Sequence, residues 1–235
     1  MKKIAIITAN MGNFDNPMEY AKQSVGYDFY RFTDENFHPR WRSMMPRLQA
    51  RIPKMFGWQM VPLYDYYIWV DASFSLLHPD SVKWFMEQCD GFDIAVLKHP
   101  MRNSIQEEAD YLKKRLREEK NGKKSDPYVT LRYENELIDE QLAEIKNDEK
   151  FVDDRLFAST AFIYKNTDKN QKMLKEWWYH TSRYHSVDQL SFPYVLDKSG
   201  CAVNIIPTQK HHDFHIPYLT LVRYRSVERR HLSQK

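Results

Sequence analysis

Asp71 is the residue whose type and position most directly suggest chemistry. It follows the apolar segment YYIWV and precedes Ala72 and Ser73. A carboxylate beside so much apolar surface costs free energy unless it has a partner. If the segment is a strand of a parallel sheet, its carboxyl end faces the crevice in which such sheets bind ligands. Asp71 is therefore either a ligand-binding carboxylate or the cap of the turn after the strand.

A second carboxylate, Asp188, stands in the segment RYHSVDQLSF with His185 before it and Gln189 after it. The pattern is typical of a helix start, where the helix dipole favours negative charge, so one interpretation of Asp188 is an N-cap. The other is a carboxylate that contacts a substrate and stabilises positive charge developing there, with Gln189 as its hydrogen-bonding neighbour.

Three cations follow one another at helical spacing. Arg47, Arg51 and Lys54 are separated by four and three residues, which places them on one face of a predicted helix. Such a face can pair with phosphate groups, arginine doing so through two hydrogen bonds. The alternative is an ordinary solvated basic face.

A further cluster lies in KHPMRNSIQEEADYL, just after a predicted strand. It contains His99, Arg102, Glu107 and Glu108. Charge clusters of this kind are often helix surface, but the position after the strand favours His99 or Arg102 as residues that line a pocket. The whole cluster is a candidate for binding an acceptor substrate.

Histidines are concentrated near the end of the chain. His211, His212 and His215 surround Asp213, and such a group can bind a metal ion. The spacing matches no well-defined zinc motif. His211 or His212 could instead complete a site at Asp71. The predicted metal ligands are therefore Asp71, His211 and His212.

The composition predicts a folded enzyme-sized domain and excludes several classes. The chain has 235 residues, with 13 Phe, 15 Tyr and 6 Trp, an aromatic content that disordered chains lack. It has only 6 Gly and contains neither the glycine-rich dinucleotide motif nor the P-loop motif. Two cysteines cannot form a disulfide framework, and a net charge of +3 does not indicate nucleic acid.

The short apolar run of MKKIAIITAN is typical of a buried first strand rather than a signal peptide, and no segment reaches the length of a membrane helix. The sequence therefore predicts a cytoplasmic protein without a membrane span.

The elements that would position these residues alternate between strands and helices. Apolar, β-branched segments predict strands at 3–9, 27–34, 64–73, 93–100, 155–166 and 202–207. Helical patterns cover 46–58, with a kink at Pro53, and 81–89, 104–119, 134–149, 169–184 and 188–200, the last ending at a Gly200 C-cap. Such alternation favours one α/β domain over residues 1–235 with a mainly parallel sheet. Residues 104–150 form a charged helical insertion, and 208–235 an irregular tail.

Taken together, the motifs resemble a known family. The pattern I-W-x-D ends at Asp71, H-x-x-R-x-x-x-x-E-E-A begins at His99, and D-Q-x-S-F begins at Asp188. In this order they resemble the glycosyltransferase-like family first catalogued as domain of unknown function 616, whose plant members are associated with turgor regulation and seed mucilage. The resemblance covers roughly residues 40–200.

The resemblance implies a GT-A fold, similar to that of glycogenin-like transferases, a nucleotide-diphosphate sugar as donor, and Mn²⁺ or Mg²⁺ as cofactor. On this hypothesis Thr8, Ala9 and Asn10 hold the nucleoside, while Asp71 and Ser73 hold the metal on the diphosphate. Arg47, Arg51 or Lys54 would add positive charge as the phosphate leaves. Asp188 would contact the sugar or the hydroxyl acceptor, with retention of anomeric configuration. Family members commonly have D-G-K where this chain has D-A-S, so neither is a full D-x-D metal motif.

Two other functions stay open at the level of sequence. The incomplete D-A-S motif is compatible with a binding module that holds a nucleotide sugar or a glycan without turnover. The basic tail, with Arg223, Arg225, Arg229 and Arg230, is compatible with nucleic-acid binding, including the modification of DNA as acceptor.

Overall fold

The computed structural model describes residues 2–12, 15, 20–40, 43–122, 129–130, 133–208 and 216–221. The strands are β1 (Ile4–Asn10), β2 (Asp28–Thr33), β3 (Tyr66–Val70), β4 (Phe74–Ser75), β5 (Ile94–Lys98), β6 (Phe157–Lys165), β7 (Val203–Ile206) and β8 (Thr220–Leu221). The helices are α1 (Pro46–Met60), α2 (Ser81–Gln88), α3 (Ile105–Lys120), α4 (Ile138–Lys146), α5 (Asp168–Arg183) and α6 (Phe192–Ser199), with a 3₁₀ turn at Asp188–Leu190.

Six strands form one mixed sheet in the order β2-β1-β3-β6-β5-β7. The pairs β1–β2, β1–β3 and β5–β7 are parallel, while β6 runs antiparallel to both of its neighbours. The predicted α/β fold with a mainly parallel sheet is therefore confirmed. Because β6 is reversed, it brings its amino end to the edge where β3 and β5 bring their carboxyl ends.

Each face of the sheet is covered by its own apolar core. On one face α1, α5 and α6 contribute Met55, Trp177 and Phe192, which pack with the apolar side chains of β1, β3 and β6. On the other face α2 and the segment after residue 215 cover the sheet, with Phe85 and Leu219 fully buried. The first of these layers matters for the site, because α1 lies directly against the strand ends.

The predicted helical insertion has a small core of its own. Apolar residues of α3 and α4, among them Leu112 and Ile145, pack against Leu190 in the 3₁₀ turn. The Asp153 carboxylate accepts hydrogen bonds from the backbone N–H groups of Ile105 and Gln106, and so closes the start of α3. The insertion is therefore in contact with the segment that carries Asp188.

Several element boundaries differ from the predicted ones. Helix α1 continues through Pro53 and departs from helical geometry at Phe56, whose φ is −119°, so the predicted kink position is wrong. The helix predicted over 188–200 divides into the 3₁₀ turn and α6, and Gly200 caps α6 with a φ of 63°, as predicted. The pairing of β8 with β4 was not predicted.

Candidate active site

Asp71 lies directly after β3 at the carboxyl edge of the sheet. Its Oδ1 accepts a hydrogen bond of 2.7 Å from the indole N–H of Trp69 and lies 3.7 Å from Lys54 Nζ. The side chain is 24% exposed, so it reaches solvent while Trp69 and Lys54 contact it from inside the protein. The carboxylate is therefore turned towards Lys54 and Trp69. In the turn that follows, the backbone carbonyl of Asp71 accepts the Phe74 N–H at 2.9 Å.

Asp188 is the buried member of the carboxylate pair, with 2% exposure. Its Oδ2 lies 2.6 Å from Lys54 Nζ and 3.1 Å from Arg51 Nε, and its Oδ1 accepts from Ser159 Oγ at 2.9 Å. Burial raises the pKa of this carboxyl, but Arg51 and Lys54 outweigh that effect and hold the pKa at about 2. Asp188 is therefore an ionised carboxylate at any physiological pH.

Lys54 joins the two carboxylates. Its side chain is fully buried, and its ammonium lies 5.5 Å from the ring centres of both Trp69 and Trp177. Desolvation lowers the pKa of Lys54, whereas Asp188 and Asp71 raise it. A buried ammonium is tolerated because two carboxylates and two aromatic faces surround it. The interpretation as a solvated basic face is thus wrong for Lys54, and Arg51 is also only 12% exposed.

A bulge in β6 forms hydrogen bonds to both Asp71 and Asp188. Val96 of β5 pairs with Phe162, but the next residue, Leu97, pairs with Ala158, so the residues between them are displaced from the β5–β6 ladder. From this bulge Ser159 donates to Asp188, and the Thr160 carbonyl accepts the Asp71 N–H at 2.7 Å. Bulges of this kind re-aim side chains near functional sites. The sequence analysis missed Ser159 because no motif marks it.

The segment that carries Asp188 is anchored by an aromatic residue. Trp177 of α5 donates its indole N–H to the Asp188 carbonyl at 2.8 Å. The Asp188 side chain does not cap the helix that follows, since α6 begins only at Phe192 and has no side-chain cap. Gln189 is half-buried, so it is the member of the predicted pair that reaches solvent.

Arg47 lies on the same helix face but in a different environment. Its guanidinium stands 5.4 Å from the ring of Tyr133. Its charge contributes to the lowered pKa of Asp188 and opposes the rise that burial causes in the pKa of Glu136. His185 is also buried there, and its Nδ1 accepts the Val187 N–H at 2.8 Å. Desolvation, helped by Arg47, lowers the pKa of His185 to about 3, so this imidazole is neutral.

The second predicted cluster follows β5. Arg102 pairs with the Glu108 carboxylate, and His99 Nδ1 accepts the backbone N–H groups of Met101 and Arg102. Burial raises the pKa of Glu108 and lowers that of His99 to about 4. Charge links this cluster to the first site, because Arg47 acts on Glu108 as well.

Glu107 differs from its neighbours in the same motif. Its backbone N–H donates to Ser104 Oγ at 3.0 Å, and its carboxylate accepts the Asn103 N–H at 2.7 Å. These reciprocal bonds resemble a capping box at the start of α3. The structure thus places Glu107 in a helix cap, separate from the Arg102–Glu108 pair.

The predicted nucleoside-binding residues lie at the end of β1. Thr8 and Ala9 are buried in the strand, while the Asn10 side chain exchanges hydrogen bonds with the backbone of Asp15. The loop is also held from β2, since the Asp34 carboxylate accepts the Gly12 N–H. Ser73 is half-buried two residues after Asp71.

The predicted metal site is only partly described. His211 and His212 lie outside the described residues, as do His215 and the arginines of the basic tail. Within the described ranges, no group of three or more His, Cys, Asp or Glu side chains could hold a metal ion. Asp71 contributes one carboxylate whose Oδ1 is already engaged, whereas Mg²⁺ and Mn²⁺ take several oxygen ligands. The described side chains therefore do not by themselves make a metal site.

None of the described helices combines the length and the apolar character that a membrane-spanning segment needs.

The mixed sheet, its flanking helices and the carboxylates at its edge define a GT-A-like domain of the glycosyltransferase class. Residues 43–216 match the family described as TOD1/MUCI70, glycosyltransferase-like domain, and the chain belongs to this family. This confirms the resemblance drawn from the motifs at Asp71, His99 and Asp188.

The structure of one glycosyltransferase shares this fold. The apo structure of the bifunctional glycosyltransferase WbbM is 11% identical, with a TM-score of 0.50 over 87% of this chain and 39% of that chain. This chain thus spans about two fifths of the WbbM chain. Apo mouse xyloside xylosyltransferase 1 is 8% identical, with a TM-score of 0.43 over 87% of this chain and 85% of that chain. No curated protein matches. Family and fold together support a glycosyltransferase.

Proposed function

We propose that this domain transfers a sugar from a nucleotide-diphosphate donor to a hydroxyl acceptor, with retention of the anomeric configuration. The observation that carries the proposal is the pairing of Asp71 and Asp188 through the buried Lys54. Two carboxylates from distant parts of the chain are thereby held at the strand ends, where α/β sheets bind their ligands. One is exposed to a ligand, and the other is ionised and protected from water.

The donor would occupy the half of the edge formed by β1, β2 and β3. After β1, the backbone of Gly12 is held by Asp34 and that of Asp15 by Asn10, and these contacts would preorder this end of the strand for the nucleoside. Asp71 is the carboxylate of the pair that reaches solvent, and it is oriented by Trp69 before any ligand arrives. Such preorganisation reduces the entropy lost on binding.

At the reacting centre, the bond between the anomeric carbon and the phosphate oxygen would break, and its electron pair would leave with the nucleoside diphosphate. A bond to the acceptor oxygen would form, and the proton of the acceptor hydroxyl would pass to the departing phosphate. Asp188 would act through its negative charge, because both of its oxygens are engaged and only 2% of the residue is exposed. The half-exposed Gln189 is better placed to contact the sugar. Arg47 and Arg51 would stabilise the charge on the departing phosphate, which is often the largest contribution to such a rate.

Binding of UDP-, GDP- and CMP-sugars, measured by calorimetry on the wild type and on Asp71→Asn, tests the proposal. We expect one nucleotide class to bind, and Asp71→Asn to weaken it at least about tenfold, since a charge-assisted contact is worth ~1.5–3 kcal/mol. Asp154→Asn is the matched control, because Asp154 is an exposed carboxylate paired only with Arg155 among the described residues. Loss of binding in both variants, or in neither, would contradict the role of Asp71.

The metal requirement belongs to the same experiment. We propose Mn²⁺ or Mg²⁺ as cofactor because D-A-S lies where the family's metal motif is expected. Titrations with Mn²⁺, with Mg²⁺ and with a chelator measure it directly. Equal donor affinity and equal turnover in all three conditions would remove the metal from the proposal.

A second candidate is a module that binds the donor without turnover. The observation that favours it is the complete engagement of Asp188 by Arg51, Lys54 and Ser159. Tight donor binding with neither hydrolysis nor transfer over long incubation would support this function. Release of the nucleotide diphosphate would support the transferase, and NMR of the product would establish whether configuration is retained.

A further inference from the structure

The hydrogen bonds of His99 define its protonation state. Its Nδ1 accepts two backbone hydrogen bonds, from Met101 at 3.2 Å and Arg102 at 3.0 Å. A nitrogen that accepts carries no proton, so in the neutral imidazole the proton is on Nε2. The ring is neutral, because burial and the Arg102 charge hold its pKa at about 4. His99 Nε2 is therefore a hydrogen-bond donor.

This donor faces another donor. Arg102 Nη2 lies 3.4 Å from His99 Nε2, and a guanidinium has no acceptor atom. The contact cannot be a hydrogen bond, and the described residues supply no acceptor to His99 Nε2. Buried polar groups are nearly always paired. Two adjacent donors of this kind can share one ligand that carries two acceptor oxygens.

Arg102 brings a positive charge to these donors. The only carboxylate that pairs directly with Arg102, within the described ranges, is Glu108. The charges of Arg115 and Arg47 also act on Glu108 and oppose the rise in its pKa that burial causes. Glu108 is therefore shared among several guanidinium groups and does not serve Arg102 alone.

The donor pair is accessible from one side. The Arg102 side chain is 21% exposed, and its guanidinium stacks 4.1 Å from the ring centre of Tyr111, which is 40% exposed. Arg115 lies 5.8 Å from the same ring. A flat aromatic ring between two guanidinium groups forms a rigid, basic rim at the carboxyl end of β5.

We propose that His99 Nε2 and Arg102 Nη2 together bind an anionic group, a carboxylate or a phosphate, on the acceptor substrate. The proposal rests on the proposed function and deepens it, because it assigns the acceptor to the class of acidic molecules. The two donors would grip two oxygens of one anion, the geometry that arginine favours for carboxylate and phosphate. A neutral sugar offers no charged oxygen to the Arg102 guanidinium.

The test compares three small probes, glucose, glucuronate and glucose 6-phosphate, by ligand-observed NMR titration of the full chain saturated with UDP. We expect at least one anionic probe to bind about tenfold or more tightly than glucose, the ratio that ~1.4 kcal/mol produces. Its affinity should fall with added salt. Tighter binding of glucuronate identifies a carboxylate, and tighter binding of glucose 6-phosphate identifies a phosphate.

Two variants locate the binding. Arg102→Gln removes the guanidinium, and His99→Asn keeps an acceptor for the loop while it removes the Nε2 donor. Each should weaken the anionic probe about tenfold and leave glucose unchanged. The matched control is Arg183→Gln, which removes another arginine stacked on a tyrosine, 5.0 Å from the Tyr184 ring. This control should bind as the wild type does.

Anionic probes that bind no better than glucose would overturn the proposal, and so would binding that Arg102→Gln leaves unchanged. If His99→Asn does not fold, Arg102→Gln and the salt dependence still decide. Nucleotide-sugar binding is measured separately, so the two proposals can fail independently. Anion binding without donor binding would leave the anion site standing but would remove both the transferase and the assignment of the anion to an acceptor.

Discussion

Replacing Asp188 by asparagine tests the central claim about the site, namely that a buried ammonium is balanced by this carboxylate. Asp188→Asn keeps the shape of the side chain but removes its charge. Lys54, which is fully buried, then retains only Asp71 at 3.7 Å. Arg51 loses its ion pair of 3.1 Å in the same substitution.

The magnitude follows from two independent routes. The pKa of Asp188 lies at about 2 instead of 3.8. At 1.36 kcal/mol per pKa unit this corresponds to about 2–3 kcal/mol of stability. Because the folded-state pKa is the lower one, this stability is present above pH 3.8 and is lost as the pH falls through about 2. Removing one partner of a buried ion pair costs about 3–5 kcal/mol in other proteins. We therefore expect Asp188→Asn to lose about 3–5 kcal/mol near pH 7.

The pH dependence of the loss identifies Lys54 as its cause. Without Asp188, desolvation lowers the pKa of Lys54 further below its ordinary value of 10.5. The unfolded state then binds more protons than the folded state, so stability rises with pH between these two pKa values. The deficit of Asp188→Asn should therefore shrink as the pH approaches 10.5. Adding Lys54→Met to Asp188→Asn should recover part of the loss at pH 7 as well.

Urea unfolding followed by tryptophan fluorescence measures these differences. Glu134→Gln is the control, because Glu134 lies 2.8 Å from Lys120 and both side chains are exposed, by 42% and 51%. A solvated pair contributes little, so this variant should unfold nearly as the wild type does. A loss below about 1 kcal/mol for Asp188→Asn, or one independent of pH, would refute the argument about burial.

Three further substitutions test the surroundings of the site by the same unfolding measurement. A methyl group on Gly57 would overlap Cδ1 of Ile7, so Gly57→Ala should lower the free energy of unfolding by about 1–3 kcal/mol. Adding Ile7→Val should recover part of this loss. An unchanged free energy of unfolding would show that α1 can move off β1. Ser159→Ala removes a hydrogen bond to the charged Asp188 and should cost about 1.5–3 kcal/mol, whereas an unchanged midpoint would exclude that bond as a support. Asp153→Ala removes the two hydrogen bonds at the start of α3 and should lower the free energy of unfolding by about 0.5–2 kcal/mol. Amide hydrogen exchange should become faster only in the first turn of that helix. Faster exchange throughout the sheet would contradict this local role.

Much of the sheet could be predicted because its strands are short apolar runs between turn residues. β3 and β5 fall within the predicted strands, and β1 extends one residue beyond its prediction, to Asn10. The polar residue after β3, Asp71, lies at the expected edge. The direction of β6 could not be predicted, since an apolar strand has the same pattern in either direction. The bulge at Ser159 depends on that direction, so it was also missed.

The orientation of the cations shows a different limit. Spacing places Arg51 and Lys54 on one helix face but does not say whether that face meets water or the sheet. The answer depends on Asp71 and Asp188, which come from other parts of the chain. Glu107 is the opposite case, because Ser104 three residues earlier already makes a capping-box pattern that could have been recognised in the sequence.

The reversed strand β6 also has a consequence for the order of folding. In the sheet β6 lies between β3 and β5, although both precede it in the chain. Val70 therefore meets its partner Ala161 only after the whole insertion has been synthesised, and Asp188 follows later still. Pairing over such sequence distances closes large loops and is slow. A nascent chain that carries Asp71 and Lys54 but not yet β6 also lacks Asp188, the carboxylate that lies closer to the lysine. The site is therefore completed among the last events of folding.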